Sequence, residues 1–459
     1  MQQAGTSELI ASAHRALAVN RRHGLTVPHL RMFPAGYLWD TAVIVKGLAV
    51  FDPDRAAAEI LRLLAAQWRS GMLPNEVYFD TDRFRRWIHG THADTPSGLT
   101  TSGITQPPLI VRSALEVGRR LDRDARTSFY RAALPPLAAL CRWVLDQRIG
   151  DRGVAVVIHP HETGMDNRAD LVGPMAAQWL TATTARQRLD RAALLLAVRT
   201  GRRLVGDCRT EAVGHRSRHS EVLAASLQTR HLRAFGYDLA RVRASGRGVL
   251  VEDVGYHAVF LDAVLCLQEL AAELGPDAVR DHPELPAAVA GLTAGLDGLW
   301  QPDVDAHGGG YASRDARTGR VLPGATVAEL FPLLVERRPE RLTTMTRRLA
   351  DPGKYWTLVP PAGAPLDAPT FDPARYWQGP AWPFPADILE TGLELTGHHE
   401  LAEELRHRYL TRPHGLEHPE YQNPLTGEPF GARPFSPAAA LTLRFADRLL
   451  DRHRRPSGP

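Results

Sequence analysis

Two short loops each carry one carboxylic acid: Gly164-Met165-Asp166-Asn167 and Pro419-Glu420-Tyr421-Gln422-Asn423-Pro424. Breaking an acetal needs a proton for the leaving oxygen and a nucleophile, water or carboxylate, at the anomeric carbon. Asp166 could supply the proton, with Gly164 permitting the turn that projects it and Met165 an apolar wall that raises its pKa. Glu420 could be the base that activates water, held by Tyr421 and by the turns at Asn423-Pro424 and Thr426-Gly427. Glu417 and Glu428 compete for that role. Taken alone, Asp166-Asn167 is also an ordinary Asx-turn, and Glu420 an ordinary solvated loop glutamate.

Aromatic segments supply the rest of a sugar site. Tyr376-Trp377-Gln378-Gly379-Pro380-Ala381-Trp382 sets three rings and an amide before a helix that Pro380 can open. Rings stack on the C–H face of a sugar, although aromatics at a helix start are equally often core anchors. Trp39-Asp40 begins another helix, where Asp40 could bind paired hydroxyls or complement the helix dipole, and Gln106 before Pro107-Pro108 is similarly two-sided. No GxGxxG, P-loop, HExxH or GxSxG pattern occurs. His159 and His161 flank Pro160 without a clear third ligand, so neither a metal nor a cofactor is expected. A histidine pair in a cavity would instead suit an epimerase or lyase, for which nothing else in the chain argues.

These residues must be positioned by helices. Leu61, Leu64, Ala65 and Trp68 follow helical spacing, with Asp54 as the expected cap and Gly71 as the expected stop. Comparable segments recur near 6–19, 39–50, 107–122, 126–147, 183–200, 253–274, 284–299, 325–337, 380–396, 398–410 and 437–451. The one good strand candidate is Gly153 to Ile158. About a dozen helices with uneven loops predict an all-α array rather than an α/β sheet. Pro- and Gly-rich stretches at 148–167, 306–323, 359–374 and 412–434 are long enough to hold a site. One domain is expected over 1–451, with a basic surface insertion or hairpin near 201–231 and a disordered tail at 452–459.

The 459 residues are 44% hydrophobic, enough for a sizeable core. The net charge of +4 is almost all arginine, Lys46 and Lys354 being the only lysines, and it is interspersed with acids. That is a mixed surface rather than a phosphate-binding stripe, so no nucleic-acid partner is expected. Cys141, Cys208 and Cys266 lack paired spacing, which predicts no disulfide framework. No secretory signal and no run of 18 apolar residues is visible, so the expected location is cytoplasmic, without a membrane partner. A homo-oligomer is compatible with all of this.

In order along the chain, Phe33-Pro34, Trp39-Asp40, Gln67 to Pro74, Thr101 to Pro108, Glu162 to Asn167, Val251-Glu252-Asp253, Tyr376 to Pro380 and Glu420 to Glu428 resemble the bacterial mannosylglycerate and glucosylglycerate hydrolases of glycoside hydrolase family 63. The resemblance spans about residues 8 to 448. It implies an (α/α)6 barrel, inversion at the anomeric carbon, Asp166 as general acid and Glu420 as general base. Around the sugar it implies Tyr37, Trp39, Asp40, Gln106, Gly164, Tyr376, Trp377, Gln378 and Trp382. Active-site loops are then expected from 148–170, 359–380 and 412–434 at one end of the barrel.

The departures cluster on the leaving-group side. His161 stands for an aromatic, Gln378 for an arginine and Asn75 for a histidine. Arg168-Ala169-Asp170-Leu171-Val172 replaces the usual continuation after the acid, and Phe435-Ser436-Pro437 lacks a tryptophan. The glycerate-contacting arginine has only Arg191 as a counterpart, with Arg168 as a substitute cation. The expected substrate is a small soluble α-glucoside or α-mannoside, with the glycerate conjugates cleaved poorly. The alternative is a sugar-binding protein that has lost turnover.

Overall fold

The computed structural model describes residues 2–79, 91–92, 95–180, 196, 219–246, 248–305 and 308–454. Helix α1 (Gln2–Val19) buries Leu9, Ala13, Ala16 and Leu17 along one stripe. Helix α2 (Leu38–Leu48) is buried almost all round, which places it in the centre. Helix α3 (Pro53–Leu64) returns along the outside, burying Ala56, Ala57, Ile60, Leu63 and Leu64. Its cap is Asp52, whose carboxylate accepts from Arg55 N at 3.1 Å, and not the expected Asp54. Pro53 at the first helical position explains the shift. The helix stops at Leu64, well before Gly71, and Ala65 is exposed.

Helix α4 (Ile110–Gly118) is again central, and the long outer helix α5 (Arg123–Arg148) follows it. Helix α6 (Ala169–Leu180) follows the acid-bearing loop, and helix α7 (His219–Ala234) packs on α6. The stretch 219–231, expected to be part of a surface insertion, is therefore helical. Its Gln228 and Thr229 are buried, with Gln228 Nε2 donating to Ile158 O at 2.5 Å. Residues 201–218 and most of the helix expected at 183–200 lie outside the described residues.

Helix α8 (Val254–Leu274) is buried on every side from Val254 to Val264. It is long and apolar enough to cross a membrane, but 83% of that apolar window is buried in the protein core. Helix α9 (Glu284–Gly298) covers it. The helix expected at 325–337 is a 3-10 helix at Val327–Leu334, buried throughout. Pro332 inside it has no N–H to give to an α-helical ladder, which favours the tighter turn. Outer helix α10 (Pro339–Ala350) is followed by α11 (Pro383–Leu395), buried from Pro383 to Leu393, then α12 (His399–Thr411) and α13 (Ser436–Arg454).

The central segments pack in sequence: α2 on α4, α4 on α8, α8 on Val327–Leu334, that segment on α11, α11 on α13, and α13 back on α2. Buried ion pairs fix the last junction. Asp387 on α11 takes Lys46 Nζ from α2 at 2.6 Å and Arg444 from α13 at 2.7 Å, and Arg444 also reaches Glu390 at 2.9 Å. Such pairs gain little net stability, but a partner removed would leave a buried charge, so they specify which helices meet.

Short strands brace the loops at the site. Strands β1 (Gly36–Tyr37), β2 (Glu76–Tyr78), β3 (Thr91–His92) and β4 (Thr100–Ser102) form an antiparallel sheet in the order β1-β2-β4-β3, with Tyr37 opposite Glu76. Strands β5 (Val156–Val157), β6 (Val251–Glu252) and β7 (Arg314–Asp315) form a second sheet with β6 in the middle. Strands β8 (Tyr421–Gln422) and β9 (Pro429–Phe430) form a hairpin in which Tyr421 faces Phe430.

Candidate active site

All three expected loops contribute to one pocket. It is lined by Phe33, Tyr37, Trp39, Asp40, Gln106, Gly164, Asp166, Tyr376, Trp377, Trp382, Phe384, Glu420 and Phe435. Its empty volume, counted out to open solvent, is about 470 Å³. Among the described residues, the lining includes three carboxylates and no lysine or arginine.

The floor is the start of α2. Tyr37 leads into the helix in an extended conformation, and the free N–H of Trp39 donates to Gln106 Oε1 at 3.1 Å. Gln106 thus does the capping that no α2 side chain does, and its placement beside Asp40 follows from that bond. Tyr37 donates its hydroxyl to Glu76 Oε1 at 2.7 Å, while Tyr78 donates to the other oxygen at 2.9 Å. Glu76 therefore stands behind the pocket wall as an anchor for Tyr37. Trp39 is 1% exposed, and among the described residues its buried indole Nε1 has no hydrogen-bond partner.

The acid loop lies on this floor. Gly164 has φ +73°, and a Cβ there would come within 3.1 Å of the Trp39 indole, so only glycine lets the loop settle on that ring. Asp166 is partly exposed into the pocket, and His161 Nε2 lies 3.9 Å from its Oδ2. Past Asp166 the loop is clamped twice. Asn167 accepts Trp377 N at its side chain (3.1 Å) and Gln378 Nε2 at its backbone carbonyl (2.8 Å). Arg168, 1% exposed, pairs with Asp170 at 2.7 Å and with Asp253, the residue that caps α8.

Two expected roles change as a result. Gln378 does not line the pocket, because its amide is spent on Asn167 and it is a strut of the acid loop. Arg168 is not available as a substitute cation for the aglycone, because two carboxylates hold it in the core. Arg191 lies outside the described residues.

The aromatic wall is a stack rather than separate plates. Trp377 and Trp382 lie 3.9 Å apart with planes 7° from parallel, and Tyr421 continues the stack 4.5 Å from Trp382. Trp382 Nε1 donates to Tyr376 O at 2.9 Å, which locks the turn in which Tyr376 has φ +43°. Glu420 enters the β8–β9 hairpin, with its N–H donating to Ala432 O at 3.0 Å and its Oε2 accepting from Ala432 N at 2.8 Å. Gly431, at φ +73°, packs so closely on Glu420 that a side chain has no room there.

Electrostatics tie the three acids together. Burial pushes the Asp40 carboxyl well above the usual carboxylate range, and Glu420 pushes it further. Asp166 and Glu76 add smaller pushes, and a bond to its own backbone N–H opposes them. The Asp40 carboxyl therefore senses both Glu420 and Asp166 across the cavity.

His159, by contrast, is a core residue. Its Nδ1 accepts from His161 N, and its Nε2 meets Ala225 O and Thr229, so it does not form a paired histidine site in the cavity. Sequence reasoning missed Phe33, Phe384 and Phe435 as pocket residues. Phe384 follows Pro383 at a helix start, a position that pointed only to packing.

An aromatic-walled pocket with convergent loop carboxylates, set on a ring of helices, belongs to a glycoside hydrolase. The chain belongs to the mannosylglycerate hydrolase MGH1-like glycoside hydrolase family, whose domain model matches residues 34–436. It is 30% identical over 451 residues to mannosylglycerate hydrolase MGH1 of Selaginella moellendorffii, covering 95% of this chain and 85% of that one. It is 28% identical over 457 residues to the glucosylglycerate hydrolase of Mycolicibacterium hassiacum, covering 95% and 97%. The crystal structure of the family 63 mannosylglycerate hydrolase of Thermus thermophilus in complex with Tris superposes with a TM-score of 0.81 at 27% identity, covering 95% and 100%.

Proposed function

We propose that this chain hydrolyses a small α-glucoside or α-mannoside with inversion, on an (α/α)6 barrel whose inner ring is α2, α4, α8, Val327–Leu334, α11 and α13. Asp166 protonates the glycosidic oxygen. Glu420 takes a proton from the water that attacks the anomeric carbon from the opposite face, so the bond to the aglycone breaks as the bond to water forms. Asp40, held toward its protonated form, can both donate to and accept from adjacent sugar hydroxyls. The Trp377–Trp382–Tyr421 stack gives the ring an apolar boundary.

The observation that carries this reading is the meeting of Asp40, Asp166 and Glu420 in one aromatic-walled pocket, from three distant parts of the chain. The test is proton NMR of the first-formed sugar, which should be the β anomer from an α substrate. An α product would refute inversion.

The named activities of the relatives make glucosylglycerate and mannosylglycerate the first substrates to try. The described pocket wall, with three acids and no basic side chain, favours an uncharged aglycone instead. Matched pairs of glycerate and glycerol conjugates separate the two readings. Higher kcat/KM on the glycerol conjugate is expected. The reverse order, lost in Arg191→Ala, would place the missing cation in the arginine-rich segment near 191.

A further inference from the structure

A second, smaller cavity lies behind Glu420 and shares that residue with the catalytic pocket. Its walls include Val359, Pro360, Pro383, Tyr409 and Arg412. Its innermost space is about the size of one water molecule.

Arg412 is the unusual member. It is 5% exposed and follows directly on α12, and its Nη1 donates to Tyr409 O. Its guanidinium sits 3.8 Å over the Tyr409 ring. Its Nη2 is buried without any hydrogen-bond partner, and among the described residues Arg412 makes no ion pair. Burial pushes its pKa down, and Tyr409 is the neighbour that pushes it back. Every other buried arginine near the centre (148, 168, 348, 406 and 444) is paired with a carboxylate. Leaving a guanidinium in the interior without a counter-charge costs several kcal/mol, and an unmade charged hydrogen bond adds to that. Two neighbouring donors are engaged elsewhere: Gln422 Nε2 gives to Pro413 O and Gly427 O, and the Tyr409 hydroxyl gives to Ala438 O.

We propose that this cavity is a site for one small monovalent anion of about chloride's size, held by Arg412 Nη2 at the back of the strand that carries Glu420. Bound there, the anion adds negative charge on the side of Glu420 away from the substrate, which strengthens Glu420 as a proton acceptor. That consequence rests on the reading of Glu420 as the base, whereas the binding itself does not.

The test begins with wild-type crystals in bromide, where an anomalous peak is expected within hydrogen-bonding distance of Arg412 Nη2. In solution, chloride at ten times its dissociation constant should raise Tm by roughly 1–2 °C over gluconate at equal ionic strength. Arg412→Gln should abolish that response, Arg412→Lys weaken it, and the exposed control Arg347→Gln keep it. Chloride should also change kcat/KM severalfold in the wild type and not in Arg412→Gln. A water in the cavity that bromide never displaces would overturn the proposal. So would a bromide peak without any solution response, which is binding at crystal concentration only, or a chloride response that survives in Arg412→Gln. A bromide peak with the solution response, in a protein that cleaves no glycoside, would keep the anion site and sink the proposed function.

Discussion

Gly431→Ala tests the base assignment without touching a carboxylate. A Cβ at Gly431 would lie 2.8 Å from both Glu420 Cβ and Tyr421 Cε1, and closer still to Glu420 Oε2, whereas ordinary contact starts at 3.4 Å. The atoms in the way belong to a strand end and a stacked ring, so Glu420 must move by roughly 0.6 Å or more. For a reacting group, misplacement approaching 1 Å costs about 10²-fold in rate. The backbone adds a second effect, because φ is +73° and alanine there costs about 1–2 kcal/mol. Gly397→Ala separates the two, since it has φ +79° and nothing within 4 Å of a built Cβ. Both variants should lose roughly 1–3 °C in Tm by differential scanning calorimetry. Only Gly431→Ala should lose about 10²-fold in kcat, with KM little changed. Wild-type kcat in a folded Gly431→Ala protein would mean that Glu420 is not positioned for chemistry by this hairpin.

Asp166→Asn and Glu420→Gln should each lower kcat by about 10²–10⁴-fold at nearly unchanged Tm, and an active variant of either would remove that residue from its role. Asp40→Asn should lose activity yet gain stability. A carboxyl whose folded pKa is raised destabilises the fold progressively as pH climbs above its unfolded value, so the Tm gain should be present at pH 7 and absent near pH 3. His418 is pushed down to about 3 by burial, with Arg412 and Arg15 adding to it. It therefore contributes stability that is full above about pH 6.5 and is lost as pH falls toward 3. His418→Gln should flatten that loss, by up to the order of 4 kcal/mol in urea unfolding between pH 8 and pH 4. An unchanged acid slope would show that His418 is not what fails first.

The helices were legible where one period dominated. The segment expected near 253–274 is the helix Val254–Leu274, with Asp253 as its cap. Boundaries failed where proline chemistry intervened, as at Pro53, which moves the cap of α3 to Asp52, and at Pro332, which turns an expected helix into a 3-10 segment. The composition of 201–231 suggested an exposed insertion because arginine and histidine dominate it. Residues 219–231 nevertheless bury Gln228 and Thr229 against the loop that precedes Asp166. Polar residues committed to a neighbouring backbone look the same in sequence as solvated ones. At the site, residue types pointed to carboxylates and rings, but not to the way Trp377, Trp382 and Tyr421 fuse into one stack. Trp382 and Tyr421 lie 39 positions apart, and a contact at that separation carries no local signal.

Arg168 shows how a ligand-facing motif and a folding motif come to look alike. It directly follows the acid loop, and a cation there would meet the aglycone if it pointed outward. The deciding term is the cost of what lies beneath it. Asp170 and Asp253 are both buried, and Asp253 also accepts from Tyr256 N at the start of α8. Two carboxylates in the interior need a cation more urgently than a solvated substrate does, so the guanidinium turns inward. The exchange couples the reaction to the fold. Asn167 holds the aromatic wall, Arg168 holds the cap of an inner helix, and Asp166 sits one residue before the first of these two fixed points. In its proposed role as general acid, Asp166 would have to meet one oxygen of a bound sugar, and such a tether would limit its loop to that position at no further entropic cost on binding. The departure from the family motif after the acid is thus explained by support of the acid, which leaves the recognition of the aglycone to other residues.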